Sequence, residues 1–68
     1  MDNIFIAPNG KKYTCIVYAI DEFQSGHEWY GFEDAGDGEY FGFIHGESHR
    51  FDYFNINELR ESNIPVYT

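Results

Sequence analysis

The stretch of residues 27–46, HEWYGFEDAGDGEYFGFIHG, places the strongest constraint on the fold. It holds six aromatic residues, no lysine or arginine, and a central run of acidic residues and glycine. Aromatic residues favour strands, and a glycine-rich, acidic segment between two such runs is typical of a turn. The stretch therefore predicts two antiparallel strands, residues 27–33 and 39–45, joined by an acidic turn over residues 34–38.

Further elements are predicted on both sides of this hairpin. The other segments rich in β-branched or aromatic residues are 3–7, 13–20 (interpreted as one central strand) and 49–54. An Asn-Gly turn separates the first two, and a polar loop spans residues 21–26. Asn55 is placed to cap a short helix, with Glu58 three residues later, and Pro65 ends that helix before a last extended stub.

These elements predict a single domain over residues 1–68, of α+β class. We expect an antiparallel sheet of four to five strands in consecutive order, with one short C-terminal helix on one face and the other face solvated. A chain of 68 residues buries only about 60% of its unfolded surface, and the lone Cys15 excludes an internal disulfide. Aromatic residues, 21% of the chain, are the expected compensation, with dimerisation as the other route.

Charge narrows the classes of partner. Twelve acidic and four basic residues give a net charge of −8. Such a charge argues against direct nucleic-acid binding and against anionic membrane surfaces, and leaves a basic protein partner or simple solubility. No apolar run is long enough to span a membrane, and the N-terminal residues do not resemble an export signal. We therefore expect a cytoplasmic protein.

No motif for catalysis or metal binding is present. His45 and His49 are four residues apart, but a Gly-Glu-Ser turn separates them, so the spacing does not predict a zinc site. The acidic turn resembles a calcium loop only in composition, since Ala35 and Ile44 stand where ligands belong. No serine or cysteine lies in a nucleophile motif. The sequence therefore predicts a protein that is not an enzyme and needs no cofactor.

The acidic surface is the candidate site. Eight acidic residues lie between Lys12 and Arg50 without a basic neighbour in sequence. Strict alternation would place Asp37 and Glu39 on one side of a strand, about 6.7 Å apart. Eight net charges match about 14 Å of DNA duplex, which favours a protein that mimics DNA. The residues predicted to bind the partner are four carboxylates and two aromatics beside them: Glu33, Asp34, Asp37, Glu39, Trp29 and Tyr40.

Small size, strong acidity, aromatic strands and the lack of a catalytic motif together resemble the inhibitor proteins of phages and mobile elements, particularly anti-CRISPR proteins. The resemblance implies a viral protein that acts in the host cytoplasm. It would bind a basic, nucleic-acid-binding surface of a host defence complex, with a CRISPR effector subunit as the specific candidate.

A second resemblance is local. The segments WY at residues 29–30, FGFIHG at 41–46, DYFN at 52–55 and NEL at 57–59 are similar to an uncharacterised domain family of bacterial plasmids and phages. That family has a WY…FFG-hydrophobic-HG…GYF-S-x-SEL-type pattern. Here Asp52 stands where the family tends to have glycine, and Asn55 and Asn57 replace its serines. The resemblance implies mobile-element origin and the strand, cap and helix layout, and it transfers no functional residues.

The alternative comes from a different class. The chain would be a non-enzymatic interaction module of a mobile element, which forms a homodimer through its aromatic sheet face. Ionic strength separates the two hypotheses, because binding by charge weakens with salt and aromatic self-association barely responds.

Overall fold

A computed structural model describes residues 3–23 and 26–68, so residues 24 and 25 of the predicted polar loop lie outside it. The described chain forms seven strands and one helix. In chain order these are β1 (Asn3–Ile6), β2 (Lys12–Cys15), β3 (Val17–Ile20), β4 (Glu28–Gly36), β5 (Glu39–His45), β6 (His49–Asn55), α1 (Ile56–Glu61) and β7 (Val66–Tyr67).

Five of the strands form one antiparallel sheet in the order β6-β5-β4-β3-β7. Strands β3 to β6 are neighbours in chain order, while β7 crosses back to pair with β3 at the opposite edge from β6. Strands β1 and β2 form a separate two-stranded antiparallel sheet. The prediction of a mainly antiparallel sheet with one short C-terminal helix is confirmed, although it understated the number of strands.

The predicted central strand over residues 13–20 is wrong as a single element, because it divides at Ile16. Before this residue, Cys15 pairs with Asn3 of β1, and after it Val17 pairs with Gly31 of β4. The Ile16 backbone N–H still donates to the Gly31 carbonyl at 2.8 Å. The segment has apolar residues on both faces because its first half belongs to one sheet and its second half to the other.

The hairpin of β4 and β5 contains two irregularities that the alternating pattern did not predict. The register shifts between Gly31 and Glu33 and again between Asp34 and Gly36. Each extra residue on β4 is a β-bulge, which redirects the side chains that follow it. Glu33 consequently pairs with Phe41 and lies on the sheet face of Phe41, not on the face of Trp29 as alternation predicted.

The turn that closes this hairpin is also shorter than predicted. Strand β4 continues to Gly36, which pairs with Glu39, so the loop consists of Asp37 and Gly38 alone. Both loop residues have positive φ, 53° and 81° respectively. This is the geometry of a type I′ turn, for which Asp-Gly is a preferred sequence.

Inside the hairpin, Gly31 and Gly42 pair directly across the two strands. A Cβ atom on Gly31 would overlap the Val17 side chain, and one on Gly42 would overlap the Tyr30 carbonyl oxygen. The Val17 side chain therefore packs directly over Gly31, and the Tyr30 backbone lies close to Gly42, in space that only glycine leaves open.

One face of the five-stranded sheet packs against α1. The buried residues of this core are Val17, Ala19, Ile44, Phe54, Ile56 and Leu59. Asn55 caps the helix as predicted, because its side-chain oxygen accepts hydrogen bonds from the N–H groups of Asn57 at 2.8 Å and Glu58 at 3.4 Å. In the described part of the chain, no helix has the length and apolarity needed to cross a membrane.

The opposite sheet face is covered by the two-stranded sheet of β1 and β2, and the prediction that this face would be solvated is wrong. The Phe5 ring lies 4.4 Å from the Tyr30 ring and 5.3 Å from the Phe43 ring. The Tyr13 ring stacks on Phe32 at 4.7 Å. Since the six-residue helix covers only one face, the N-terminal strands supply the second apolar layer.

We expect Phe5→Ala to destabilise the fold by about 2–4 kcal/mol, because it removes the ring at the centre of this aromatic layer. The matched control is Ile4→Ala on the same strand, because Ile4 is 60% exposed. The control should change the free energy of unfolding by less than about 0.5 kcal/mol. Urea unfolding followed by near-ultraviolet circular dichroism measures both, and equal losses would contradict the role of the layer.

Candidate functional site

The four predicted carboxylates gather at the closed end of the hairpin, and we call Glu33, Asp34, Asp37 and Glu39 the acidic tip. All four residues are exposed. Register places Asp34 opposite Tyr40 and Glu33 opposite Phe41, while Asp37 lies in the turn and Glu39 begins β5. The structure therefore brings these four carboxylates to one end of the sheet.

The backbone of the acidic tip is fixed to the start of the helix. The Asp37 carbonyl accepts hydrogen bonds from the side-chain amides of Asn55 at 3.3 Å and Asn57 at 3.4 Å. The Gly38 carbonyl accepts the Ile56 N–H at 2.8 Å. One residue, Asn55, thus both caps the helix and holds the turn. These hydrogen bonds attach the turn that carries the acidic tip to the start of α1.

The spacing predicted for Asp37 and Glu39 does not apply. That prediction placed both residues on one extended strand, whereas Asp37 has a φ of 53° and belongs to the turn. Asp34 is also engaged locally, because its Oδ1 atom accepts the Gly36 N–H at 2.8 Å. Turn geometry, and not strand periodicity, sets the directions of these side chains.

The carboxylates of the acidic tip take no part in the ion pairs that the described residues form. Within the described residues the ion pairs are His45 with Glu28 at 3.4 Å and Arg50 with Asp52 at 3.3 Å. Neither pair includes a carboxylate of the acidic tip. Exposed carboxylates of one sign on a small scaffold project a negative potential from this end of the sheet.

The two predicted aromatic residues serve the core. Trp29 and Tyr40 are half-buried and pack against the cluster beneath α1. Tyr40 lies next to the acidic tip through its pairing with Asp34, and its ring stacks on Phe54 at 6.3 Å. Trp29 pairs with Ile44, away from the acidic tip. The structure therefore brings Tyr40, and not Trp29, to the carboxylates.

A polar cluster at the open end of the hairpin was missed in the sequence. The Tyr30 hydroxyl donates to Glu28 Oε2 at 2.7 Å, and His45 Nδ1 lies 3.4 Å from the same oxygen. The His45 and His49 rings are 4.2 Å apart. Burial, and then the carboxylate of Glu28, raise the pKa of the Tyr30 phenol well above its usual range. Burial also raises the pKa of the Tyr18 phenol.

The pairing register expected from the turn does not predict this cluster. A hairpin closed by Asp37 and Gly38 without bulges would place residue 28 opposite residue 47. The two bulges on β4 shift the pairing, so that Glu28 meets His45 instead.

Three features of the described residues bear on chemistry: metal-binding groups, a cleft and the thiol of Cys15. The described residues contain no group of three or more His, Cys, Asp or Glu residues arranged to hold a metal ion. A cleft of about 290 Å³ lies between β1, β2 and the main sheet, lined by Asn3, Ile4, Phe5, Cys15, Tyr18 and Tyr30. The Cys15 thiol there donates to the Val17 carbonyl at 3.1 Å, and burial raises its pKa. A protonated thiol is a weak nucleophile.

Comparison with known protein families, with curated protein sequences and with solved structures finds no match. The basis for proposing a function is accordingly the geometry and charge described above.

Asn55→Ala is expected to lower the free energy of unfolding by about 1–2 kcal/mol, because it removes the helix cap and one bond to the turn. Asn57→Ala removes only the side-chain bond to Asp37 and adds a better helix former, so it should change stability by less than about 0.5 kcal/mol. Urea titrations of both variants test this. If both variants lose the same free energy of unfolding, the helix cap at Asn55 does not stabilise the turn of the acidic tip.

Tyr30→Phe is expected to alter the dependence of stability on alkaline pH. Tyr30 has a folded-state pKa above the ordinary value of 10.0. The stability from this shift is fully present below about pH 10 and is lost as the pH rises through the folded-state pKa. Unfolding free energies measured between about pH 8 and pH 11.5 should therefore fall less steeply in the variant than in the wild type. Identical slopes would contradict the raised pKa.

Proposed function

We propose that the protein is a small acidic inhibitor, of the anti-CRISPR type, which occupies a basic nucleic-acid-binding surface on a host defence complex. The single observation that carries the proposal is the acidic tip. Four exposed carboxylates stand at one end of the sheet, outside both ion pairs of the described residues. A groove that binds phosphates offers the complementary charge, and a CRISPR effector subunit is the specific candidate.

Two properties of the acidic tip support this action. Its backbone is held by Asn55, Asn57 and Ile56, so little conformational entropy is lost when a partner binds. The net charge of −8 also attracts a basic partner over a distance and accelerates association. The protein would act by occupancy in the cytoplasm of the host cell, without catalysis and without a cofactor.

A second candidate function is self-association as an interaction module of a mobile element. The helix and the two-stranded sheet cover the two faces of the main sheet, which leaves little of its aromatic surface available. Exposed aromatic residues remain on the two edge strands, with Phe51 37% and Tyr53 56% exposed on β6 and Tyr67 57% exposed on β7. These residues favour contact through the edge of the sheet.

The test of the inhibitor proposal is binding to purified CRISPR effector complexes, measured by biolayer interferometry at several salt concentrations. We expect the affinity to fall by at least about tenfold between about 50 mM and 200 mM salt, because charge carries the contact. Target DNA should compete with the protein for the same surface. Failure to bind any effector, or binding that is indifferent to salt, would contradict the proposal.

Charge reversal at the acidic tip gives a sharper form of this test. Asp34→Lys, Asp37→Lys and Glu39→Lys combined should weaken binding by about 100-fold or more, since each change replaces attraction by repulsion. The matched control reverses three exposed carboxylates elsewhere, Glu22, Glu47 and Glu61, and alters the net charge equally. If both triple variants lose the same affinity, general charge and not the acidic tip is responsible.

A further inference from the structure

Among the described strands, β6 pairs along one edge only, and its other edge has no partner strand. It stands at the end of the strand order, and β5 is its partner over all seven residues, from His49 to Asn55. An edge strand of this length presents a row of backbone donors and acceptors that another strand can pair with. The opposite edge, β7, is only two residues long.

The hydrogen bonds next to β6 show which of its backbone groups face outwards. At one end of the pairing the Ile56 N–H donates to Gly38, and at the other the Gly46 N–H donates to Ser48. Hydrogen-bonded pairs alternate along an antiparallel ladder, so the even-numbered residues of β6 bond to β5. The N–H and C=O groups of His49, Phe51 and Tyr53 are therefore directed to the free edge.

The side chains of β6 are complementary to a second copy of the same strand. In an antiparallel pair with a two-fold axis at Phe51, Arg50 of each copy lies opposite Asp52 of the other. A two-fold axis at Arg50 or at Asp52 would instead place like charges opposite each other. With the axis at Phe51, the outward groups of His49, Phe51 and Tyr53 also meet as hydrogen-bonded pairs.

The charge and exposure of β6 are compatible with pairing to a second copy of the strand. The strand carries one arginine and one aspartate, so it is locally neutral in a chain of net charge −8. The Arg50 and Asp52 side chains are 55% and 51% exposed, and they already form an ion pair within the strand at 3.3 Å. Arg50 and Asp52 fall at non-hydrogen-bonded positions of the new ladder, where opposing side chains lie closest.

We infer that the protein forms a two-fold symmetric homodimer by antiparallel pairing of β6 with β6 of a second copy, centred on Phe51. This inference deepens the second candidate function and does not depend on the inhibitor proposal. The two sheets become one of ten strands, with an acidic tip in each half. Asp52 Oδ1, which accepts the Tyr53 N–H at 2.8 Å in the single chain, exchanges that bond for contact with Arg50 of the second copy.

Sedimentation velocity of the isolated protein tests the inference. Pairing of one edge belongs to the class of small interfaces, below about 1,200 Å², so we expect a dimer that dissociates in the micromolar range. Arg50→Asp and Asp52→Arg should each raise the dissociation constant by about tenfold or more, because each opposes like charges at two symmetric positions. A chain that stays monomeric up to about 1 mM overturns the inference.

The decisive measurement is the association of the two single variants when they are mixed. An equimolar mixture of Arg50→Asp and Asp52→Arg chains restores opposite charges at both positions, so it should associate within about threefold of the wild type. The double variant R50D/D52R should do the same from a single chain, and circular dichroism confirms that each variant is folded. Failure of both combinations to restore the dimer overturns the inference.

Two further readouts separate this edge from other surfaces. Ile4→Lys changes an exposed apolar residue of β1 and should leave the dimer unchanged. A dimer that is abolished by Ile4→Lys and is indifferent to Arg50→Asp overturns the inference. Amide exchange should slow with protein concentration at Phe51 and Tyr53, and it should change little at Arg50, whose N–H faces β5. Because no effector takes part in these measurements, their failure is distinct from failure of the inhibitor proposal.

Discussion

The contact between Phe5 and the rings of Tyr30 and Phe43 is the interaction on which the remaining structure depends. A five-stranded sheet has two faces to cover, and this chain supplies a helix of only six residues for one of them. The two-stranded sheet of β1 and β2 covers the other with aromatic rings, which remove a large area from water for each residue used. In this way a 68-residue chain without a disulfide encloses two small apolar layers.

The acidic tip depends on the apolar layer between α1 and the sheet. Helix α1 packs its Ile56 and Leu59 against the sheet, and this packing places Asn55 where it reaches the Asp37 carbonyl. The turn would be an ordinary hairpin end without that contact. With it, the turn is hydrogen-bonded to the start of the helix that packs on the core. A charged surface of this kind favours steering and specificity over raw affinity.

The acidic tip and the edge of β6, the two surfaces proposed for interaction, would bind their partners through different forces. The acidic tip acts through charge that no base neutralises in the described part of the chain. The edge of β6 acts through backbone groups and a locally neutral sequence. A dimer through that edge would carry two acidic tips, so one assembly could engage two basic sites when their spacing allows it. The dimer and the binding of a basic partner are therefore compatible.

The sequence by itself determined the local elements. The hairpin with its acidic turn, the cap at Asn55 and the exposed carboxylates follow from short-range backbone preferences and charge. The alternation of side chains along a strand does not predict the two bulges in β4. These bulges place Glu33 on the face of Phe41 and Glu28 opposite His45. Alternation also could not divide residues 13–20 at Ile16, because a strand shared by two sheets and a strand buried on both faces have the same composition.

Only the tertiary structure decided which surfaces remain available. Trp29 and Tyr40 resemble exposed anchors in the sequence, yet both pack against the core, because the helix returns to their face of the sheet. The N-terminal strands cover the opposite face through contacts between residues far apart in the chain. Burial depends on such long-range contacts, and local sequence patterns do not encode them. The sequence therefore determined where the charge lies, and the tertiary structure decided which aromatic residues remain beside it.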